Sequence, residues 1–197
     1  DETIEELDLI HGELNPVERS QILMALNKLR KLPLYIFDKH CKTVAQIRNQ
    51  IEAGCAEGKY ALAIVDYLGL LEPGRHENRN IEVTVMSRGL KTSAHELAIP
   101  VLALHQLSRG LEARADKRPE LQDLRDSGSL EQDADVVLFL YREGYYKRED
   151  VSLRNACELL VRKARNGQIG AEKIEFYGQY GMFMNIEQSA QGRFSDD

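Results

Sequence analysis

The sequence of 197 residues has no tryptophan, only three cysteines and no excess of basic side chains. Cys41, Cys55 and Cys157 lie far apart and form no CxxC pair, so neither a zinc site nor a disulfide framework is indicated and we expect reduced thiols. The 26 lysines and arginines against 32 acidic residues give a net charge of -6, which argues against a protein that coats nucleic acid by bulk charge. Any DNA binding must therefore be local.

Long hydrophobic runs are absent as well. No stretch approaches the roughly 18 uninterrupted apolar residues that cross a bilayer, and the first ten residues carry acids where a signal peptide carries bases. We therefore expect no membrane association and a cytoplasmic location. Because the first residue is Asp rather than Met, the chain is expected to belong within something longer. Residues 1–187 are predicted to form one domain, and the polar tail 188–197 is predicted to be disordered.

Helix signals appear at three places. Asn15 followed by Pro16 and Glu18 is typical of a capped helix start, and this helix is predicted to reach about Leu32. Thr43, with glutamine three residues later, caps a second helix. Residues 81–97 return to the helical pattern.

Apolar runs between these helices predict strands. Runs without alternation are typical of strands buried on both faces of a parallel sheet, and they occupy residues 34–37, 60–65, 100–104 and 136–141. The later runs 156–164, 171–177 and 182–186 are separated by Asn166-Gly167 and by residues 178–181, which predicts antiparallel hairpins. The fold class is therefore α/β, with a mostly parallel central sheet finished by C-terminal antiparallel hairpins.

Polar residues end two of the predicted parallel strands. The run LAIVD ends at Asp66, where a carboxylate at the carboxyl end of a buried strand can hold the magnesium of a nucleotide, as a Walker B acid does. Turn formation or helix capping would explain the same aspartate. The next strand leads to Gln106, whose amide can sense a γ-phosphate or orient water, or can simply satisfy nearby backbone groups.

Longer strings resemble the DnaB family of hexameric replicative helicases. They are VDYLGLL, SRGLKTSAHEL, LEARADKRPELQDLRDSGSLEQDADVVLFLYR and KARNG, and together they cover nearly the whole chain from about Asp8 to Ile186. The resemblance implies a RecA-like P-loop NTPase core, so that residues 1–187 would be a partial helicase motor domain. It also implies ATP-driven translocation on single-stranded DNA and duplex unwinding at the replication fork.

The same resemblance implies roles for individual residues. Asp66 would be the acid associated with Mg²⁺, and Gln106 would couple the ATP state to the loops that face DNA. Lys163 and Arg165 match the pair that reaches into the nucleotide site of the neighbouring subunit of a homo-hexamer. Alternate positions of one strand point to the same side, and a cation delivered across an interface stabilises charge on the transferred phosphoryl group.

The segment 108–129 is too long and polar for a mere connection. By resemblance, Arg125, Asp126 and Gly128 contact the backbone of single-stranded DNA, which would read no sequence. The residues from 109 to 126 include five basic and five acidic side chains, so charge alone equally fits a solvated surface of mixed charge.

The sequence departs from the family at its N-terminal end. It contains no GxxxxGK[ST], so the nest and lysine that cradle the phosphates are missing, and this chain alone is expected not to hydrolyse ATP. The strand that feeds the P-loop lies inside RecA-like sheets, so its absence is expected to leave unpaired groups on both flanking strands. We therefore expect the isolated chain to fold poorly or to borrow a strand.

Two other functions fit parts of the pattern. One is a catalytically inactive DnaB-like module that binds DNA or joins a ring without ATP turnover. The other is a RecA-like recombinase or a circadian-type ATPase, which shares the core, although the string from Ser127 to Asp135 and KARNG favour the helicase. A primase and a helicase loader are the further partners that the family resemblance implies.

Overall fold

The structure is a computed structural model that describes residues 12, 14–39, 41–72 and 79–186, without the side chains of residues 79, 109 and 125–127. The predicted disordered tail lies outside the described residues. The helices are α1 (Pro16–Leu29), α2 (Val44–Ala56), α3 (Arg79–Glu96), α4 (Gly128–Asp133) and α5 (Glu143–Tyr146). The strands are β1 (Ala63–Val65), β2 (Val101–Ala103), β3 (Val136–Tyr141), β4 (Ala156–Ala164), β5 (Gly170–Tyr177) and β6 (Met182–Asn185).

The chain divides into two compact units. The first comprises Asp1–Leu34, Leu138–Arg162 and Gly167–Asp197, and the second comprises Tyr35–Val137 and Lys163–Asn166. Every residue to which the sequence assigned a role in nucleotide or DNA binding belongs to the second unit.

Helix α2 begins as predicted. The Thr43 hydroxyl accepts a hydrogen bond from the Gln46 amide at 3.2 Å, and the Gln46 side chain accepts one from the Thr43 amide at 3.1 Å. This reciprocal capping satisfies amides that a helix start leaves without partners. The start of α2 therefore places Ile47 and Ile51 in the core of the second unit, where they pack with Val65, Leu68, Leu71, Met86, Leu90 and Ile99.

The parallel sheet of the second unit is small. Strand β1 pairs only with β2, with Ala63 opposite Val101 and Val65 opposite Ala103. The prediction that these strands are buried on both faces is wrong, because Ile64 is 59% exposed and Leu102 is 47% exposed. Only the face that carries Val65 packs against the helices, so an uninterrupted apolar run does not by itself show that both faces are covered.

The run from Leu34 to Phe37 is not the buried strand that we predicted. It lies outside both sheets and its four side chains are exposed. Tyr35 and Phe37 contact the Tyr60 ring edge-on, with ring centroids 5.2 and 6.5 Å apart. A short apolar run fixes no pairing partner, and aromatic packing holds this one in place of a strand ladder.

The second sheet has the strand order β3, β4, β5, β6. Strands β4 and β5 are antiparallel, with Leu160 opposite Ala171, and β5 and β6 are antiparallel, with Phe176 opposite Phe183. Gly181 has φ +61° at the second turn, a conformation that glycine adopts without steric cost. The predicted C-terminal hairpins are therefore confirmed.

Strands β2 and β3 belong to different sheets, whereas we predicted one central sheet. This is the arrangement expected when the interior strand that feeds a P-loop is not in the sequence. Strand β3 alternates between buried and exposed residues, and Val136, Leu138 and Leu140 are between 46% and 53% exposed. One face of β3 is thus uncovered by the described residues.

Helix α1 has its predicted capping box, in which the Asn15 side chain accepts from the amides of Val17 and Glu18 at 2.9 and 3.0 Å. The helix ends at Leu29 rather than near Leu32, and Leu26 and Leu29 are exposed on its predicted apolar face.

The three cysteines are free, as predicted. Burial raises the pKa of the Cys41 and Cys157 thiols, which keeps them protonated. Within the described part of the chain, every helix is too short or too polar to cross a bilayer.

Candidate functional site

Asp66 and Gln106 follow neighbouring strands at the same edge of the parallel sheet. The Leu104 amide donates to the Val65 carbonyl at 3.0 Å, and the Leu68 amide donates to the Leu104 carbonyl at 3.0 Å. The two segments therefore stay paired beyond the ends of β1 and β2. Asp66 is exposed and Gln106 is half-buried, and Leu68, which is 1% exposed, anchors the turn after Asp66 in the core.

Asp66 is a suitable ligand for a magnesium ion that a nucleotide brings with it. Mg²⁺ prefers carboxylate oxygen and is usually held by one or two carboxylates together with phosphates and water. Among the described residues no group of three His, Cys, Asp or Glu side chains could form an all-protein metal cage. The exposed Asp66 carboxylate at a strand end thus fits a nucleotide-associated ion and does not fit a structural metal site.

Lys163 and Arg165, at the end of β4, lie on the same side, as their alternate positions predict. The Lys163 ammonium donates to the carbonyls of Glu131 and Gln132 at 2.5 and 3.3 Å, and the Arg165 guanidinium donates to the Gln132 carbonyl at 2.8 Å. These carbonyls belong to the last turn of α4, where a helix has negative partial charge. Both cations are at the surface, with the Arg165 side chain 49% exposed.

Asp135 joins Arg165 to helix α3. One carboxylate oxygen of Asp135 binds the Lys91 ammonium, and the other lies 3.3 Å from the Arg165 guanidinium. The hydrogen bond from Lys91, together with the positive charges of Lys91, Arg165 and Lys163, holds the pKa of the Asp135 carboxyl below its usual range. Sequence reasoning missed Lys91 because it lies 44 residues from Asp135 in the chain.

The lowered pKa of Asp135 gives a pH-dependent prediction. Because its pKa is lower in the folded than in the unfolded chain, its stabilising contribution is present above the ordinary aspartate pKa and is lost as the pH falls through the folded value. A carbon-detected NMR titration should show Asp135 titrating below ordinary aspartates, and Lys91→Met should move that pKa upward. Asp135→Asn identifies the resonance, and a titration in the ordinary range in the unchanged chain would contradict the arrangement.

The loop predicted to contact DNA is only partly described. Leu121–Ser127 forms a 3-10 helix, but the side chains of Arg125 and Asp126 lie outside the described residues. Gly128 begins α4 and is exposed, and a Cβ added there would meet no atom within 4 Å. The backbone at Gly128 is therefore open to an approaching ligand.

A buried ion pair that sequence reasoning missed organises this loop. The Arg114 guanidinium donates to the Asp123 carboxylate at 2.7 Å and to the Arg118 carbonyl at 2.9 Å, and Asp123 also accepts from the Glu120 amide at 2.8 Å. The Asp123 side chain is only 8% exposed. The equal numbers of basic and acidic residues in the segment were the available signal, because a balanced loop can neutralise its charges internally.

The fold and this edge of the sheet define a RecA-like α/β ATPase domain. Solved structures of the same architecture include another ATPase domain, with TM-score 0.85 and 37% identity, covering 93% of this chain and 66% of that one. A solved structure of a DnaB-like replicative helicase and its interactions with primase gives the same TM-score and identity over 93% of this chain and 46% of that one.

Sequence comparison gives the family. The model of the DnaB-like helicase C terminal domain matches residues 1–185, and the chain belongs to this family. It is 42% identical over 178 residues to the replicative DNA helicase DnaB of Geobacillus stearothermophilus, and 41% identical over 187 residues to the replicative DNA helicase DnaC of Bacillus subtilis. These matches cover 89% and 94% of this chain but only 39% and 40% of the relatives.

Proposed function

We propose that this chain is part of the motor of a replicative DNA helicase, a hexameric ring that hydrolyses ATP to move along single-stranded DNA and unwind the duplex at the fork. The observation that carries the proposal is the position of Lys163 and Arg165, which lie side by side at the surface where a neighbouring protomer could meet them. Membership of the DnaB-like family supports it.

Each role follows from the chemistry of its side chain. Asp66 would hold the Mg²⁺ that accompanies ATP, and Gln106, on the next strand, would respond to the γ-phosphate. Lys163 and Arg165 would stabilise the charge on the transferred phosphoryl group of the neighbouring site. Head-to-tail contacts of this kind can close into a ring, so every complete nucleotide site would contain residues of two subunits.

DNA would lie against the loop that the Arg114–Asp123 pair organises. Arg125, Asp126 and Gly128 are the proposed contacts to its phosphates, because contacts to the backbone carry no sequence information. We further propose a primase and a helicase loader as partners and a cytoplasmic location, in line with the relatives' replicative role.

A chimera tests the function. The part of Geobacillus stearothermophilus DnaB that precedes the matched region would be joined to this whole chain, and the purified protein assayed for hexamer formation, DNA-stimulated ATP hydrolysis and unwinding of a forked duplex. We expect a hexamer that unwinds DNA with ATP. Asp66→Asn should abolish hydrolysis, whereas Lys147→Met, which removes an exposed cation paired with Glu143, should not.

Two results would contradict the motor. A ring that binds single-stranded DNA but hydrolyses no ATP would identify the chain as the inactive DnaB-like module. A chimera that forms no ring would show that this chain does not supply the subunit interface.

A further inference from the structure

Residue 165 is held by Asp135 through both its main chain and its side chain. The Arg165 amide donates to the Asp135 carbonyl at 2.9 Å, and the Arg165 guanidinium lies 3.3 Å from one Asp135 carboxylate oxygen. Asp135 lies two residues after the end of α4, and Arg165 follows β4. The contact thus fixes the chain and the head group of this residue at the same place.

The Asp135 carboxylate is shared between two cations. Its second oxygen binds Lys91 on α3, so each cation uses one oxygen. An aspartate facing arginine alone can bind it through both oxygens, which strengthens the pair and occupies more guanidinium N–H groups. Because Lys91 takes one oxygen, Arg165 keeps N–H groups available for another anion.

Stability does not account for this network. The side chains of Asp135 and Arg165 are 59% and 49% exposed. Exposed ion pairs contribute little to folding, so their removal should hardly move the midpoint of urea unfolding. What the three side chains determine is where the Arg165 guanidinium points.

We infer that Asp135, itself held by Lys91, is a positioning residue that orients Arg165 for delivery to the phosphates of a neighbouring protomer. This inference rests on the proposed function. Asp135 touches no phosphate and acts through Arg165. Its loss leaves the guanidinium held by the Gln132 carbonyl, which belongs to the protein's own helix α4 and competes with the neighbour's phosphates for the same cation.

The test uses the hexameric chimera. Asp135→Asn should lower kcat for DNA-stimulated ATP hydrolysis on the order of 10- to 100-fold, the size of effect that a misplaced catalytic group produces, with KM for ATP within about twofold. Asp135→Glu, which keeps the carboxylate, should recover most of the loss. Lys91→Met should lower kcat in the same direction by a smaller factor. The matched control is Glu149→Gln, which neutralises an exposed carboxylate elsewhere in the chain and should leave kcat unchanged.

The outcomes separate this inference from the proposed function. Should Arg165→Ala leave kcat unchanged, the proposed function fails and the inference with it. Should Arg165→Ala lower kcat while Asp135→Asn does not, the inference alone is overturned. A purely structural role would appear as a lower midpoint of urea unfolding for Asp135→Asn with no recovery of kcat by Asp135→Glu, and that result also overturns it.

Discussion

Replacing Arg165 by alanine in a ring that contains this chain should slow ATP hydrolysis on the order of a thousandfold, with ATP binding changed only a few-fold. A guanidinium delivered across an interface acts mainly on charge that develops in the transition state, and losses of this size are typical of such arginines. Single-turnover hydrolysis and fluorescent-nucleotide titration would measure the two quantities separately. Lys147→Met removes a cation outside the proposed site and provides the matched control.

Mixing two defective proteins shows whether Arg165 acts on a neighbour. A ring assembled from Arg165→Ala and Asp66→Asn subunits contains interfaces in which one subunit supplies Asp66 and the other supplies Arg165. These interfaces should hydrolyse ATP, so the mixture should exceed either protein alone. A mixture no more active than the Arg165→Ala ring would place Arg165 in its own subunit's chemistry and contradict the proposed arrangement.

Replacing Arg114 by methionine should open the loop between residues 108 and 128. Asp123 would then remain in a site where its carboxylate is 8% exposed, without its nearest cation. Removing one partner of a buried ion pair costs about 3 to 5 kcal/mol, and because Arg114 is 27% exposed we expect about 2 to 4 kcal/mol here. Affinity for single-stranded DNA should fall as the loop loses its conformation.

Hydrogen exchange measures this opening directly. The Ser108 amide donates to the Asp123 carbonyl at 3.1 Å, and the Asp123 amide donates to the Glu120 carbonyl at 2.9 Å. Both amides should exchange faster in Arg114→Met while the amides of helix α2 keep their protection. Arg118→Met removes the same charge from the same loop, but Arg118 faces the exposed Asp116, so protection should persist. Equal deprotection in both variants would mean that net charge, and not the buried pair, orders the loop.

Local sequence signals predicted the helix starts correctly because their causes are local. The capping boxes at Asn15 and Thr43 involve residues three positions apart, and both form as predicted. The hairpins around β5 were also predictable, since the separating glycines mark the turns. Pairing of the earlier strands depends on distant segments, and here the run 34–37 and the outer faces of β1 and β2 differ from the prediction.

The site divides in the same way. Asp66 and Gln106 could be placed at one sheet edge because parallel strands align their carboxyl ends. Alternation along a strand predicted that Lys163 and Arg165 would share a side. Neither pattern could show that both cations reach the end of α4, nor that Lys91 and Arg165 share Asp135, because these contacts join segments that are distant in the chain.

The acceptors that Lys163 and Arg165 use on α4 are main-chain carbonyls at positions 131 and 132. Any amino acid presents that same oxygen, so exchanging the Glu131 or Gln132 side chain leaves the acceptor in place. A saturation mutagenesis screen would therefore score both positions as tolerant although each takes part in the contact. Only changes that shift the helical backbone itself would reveal it.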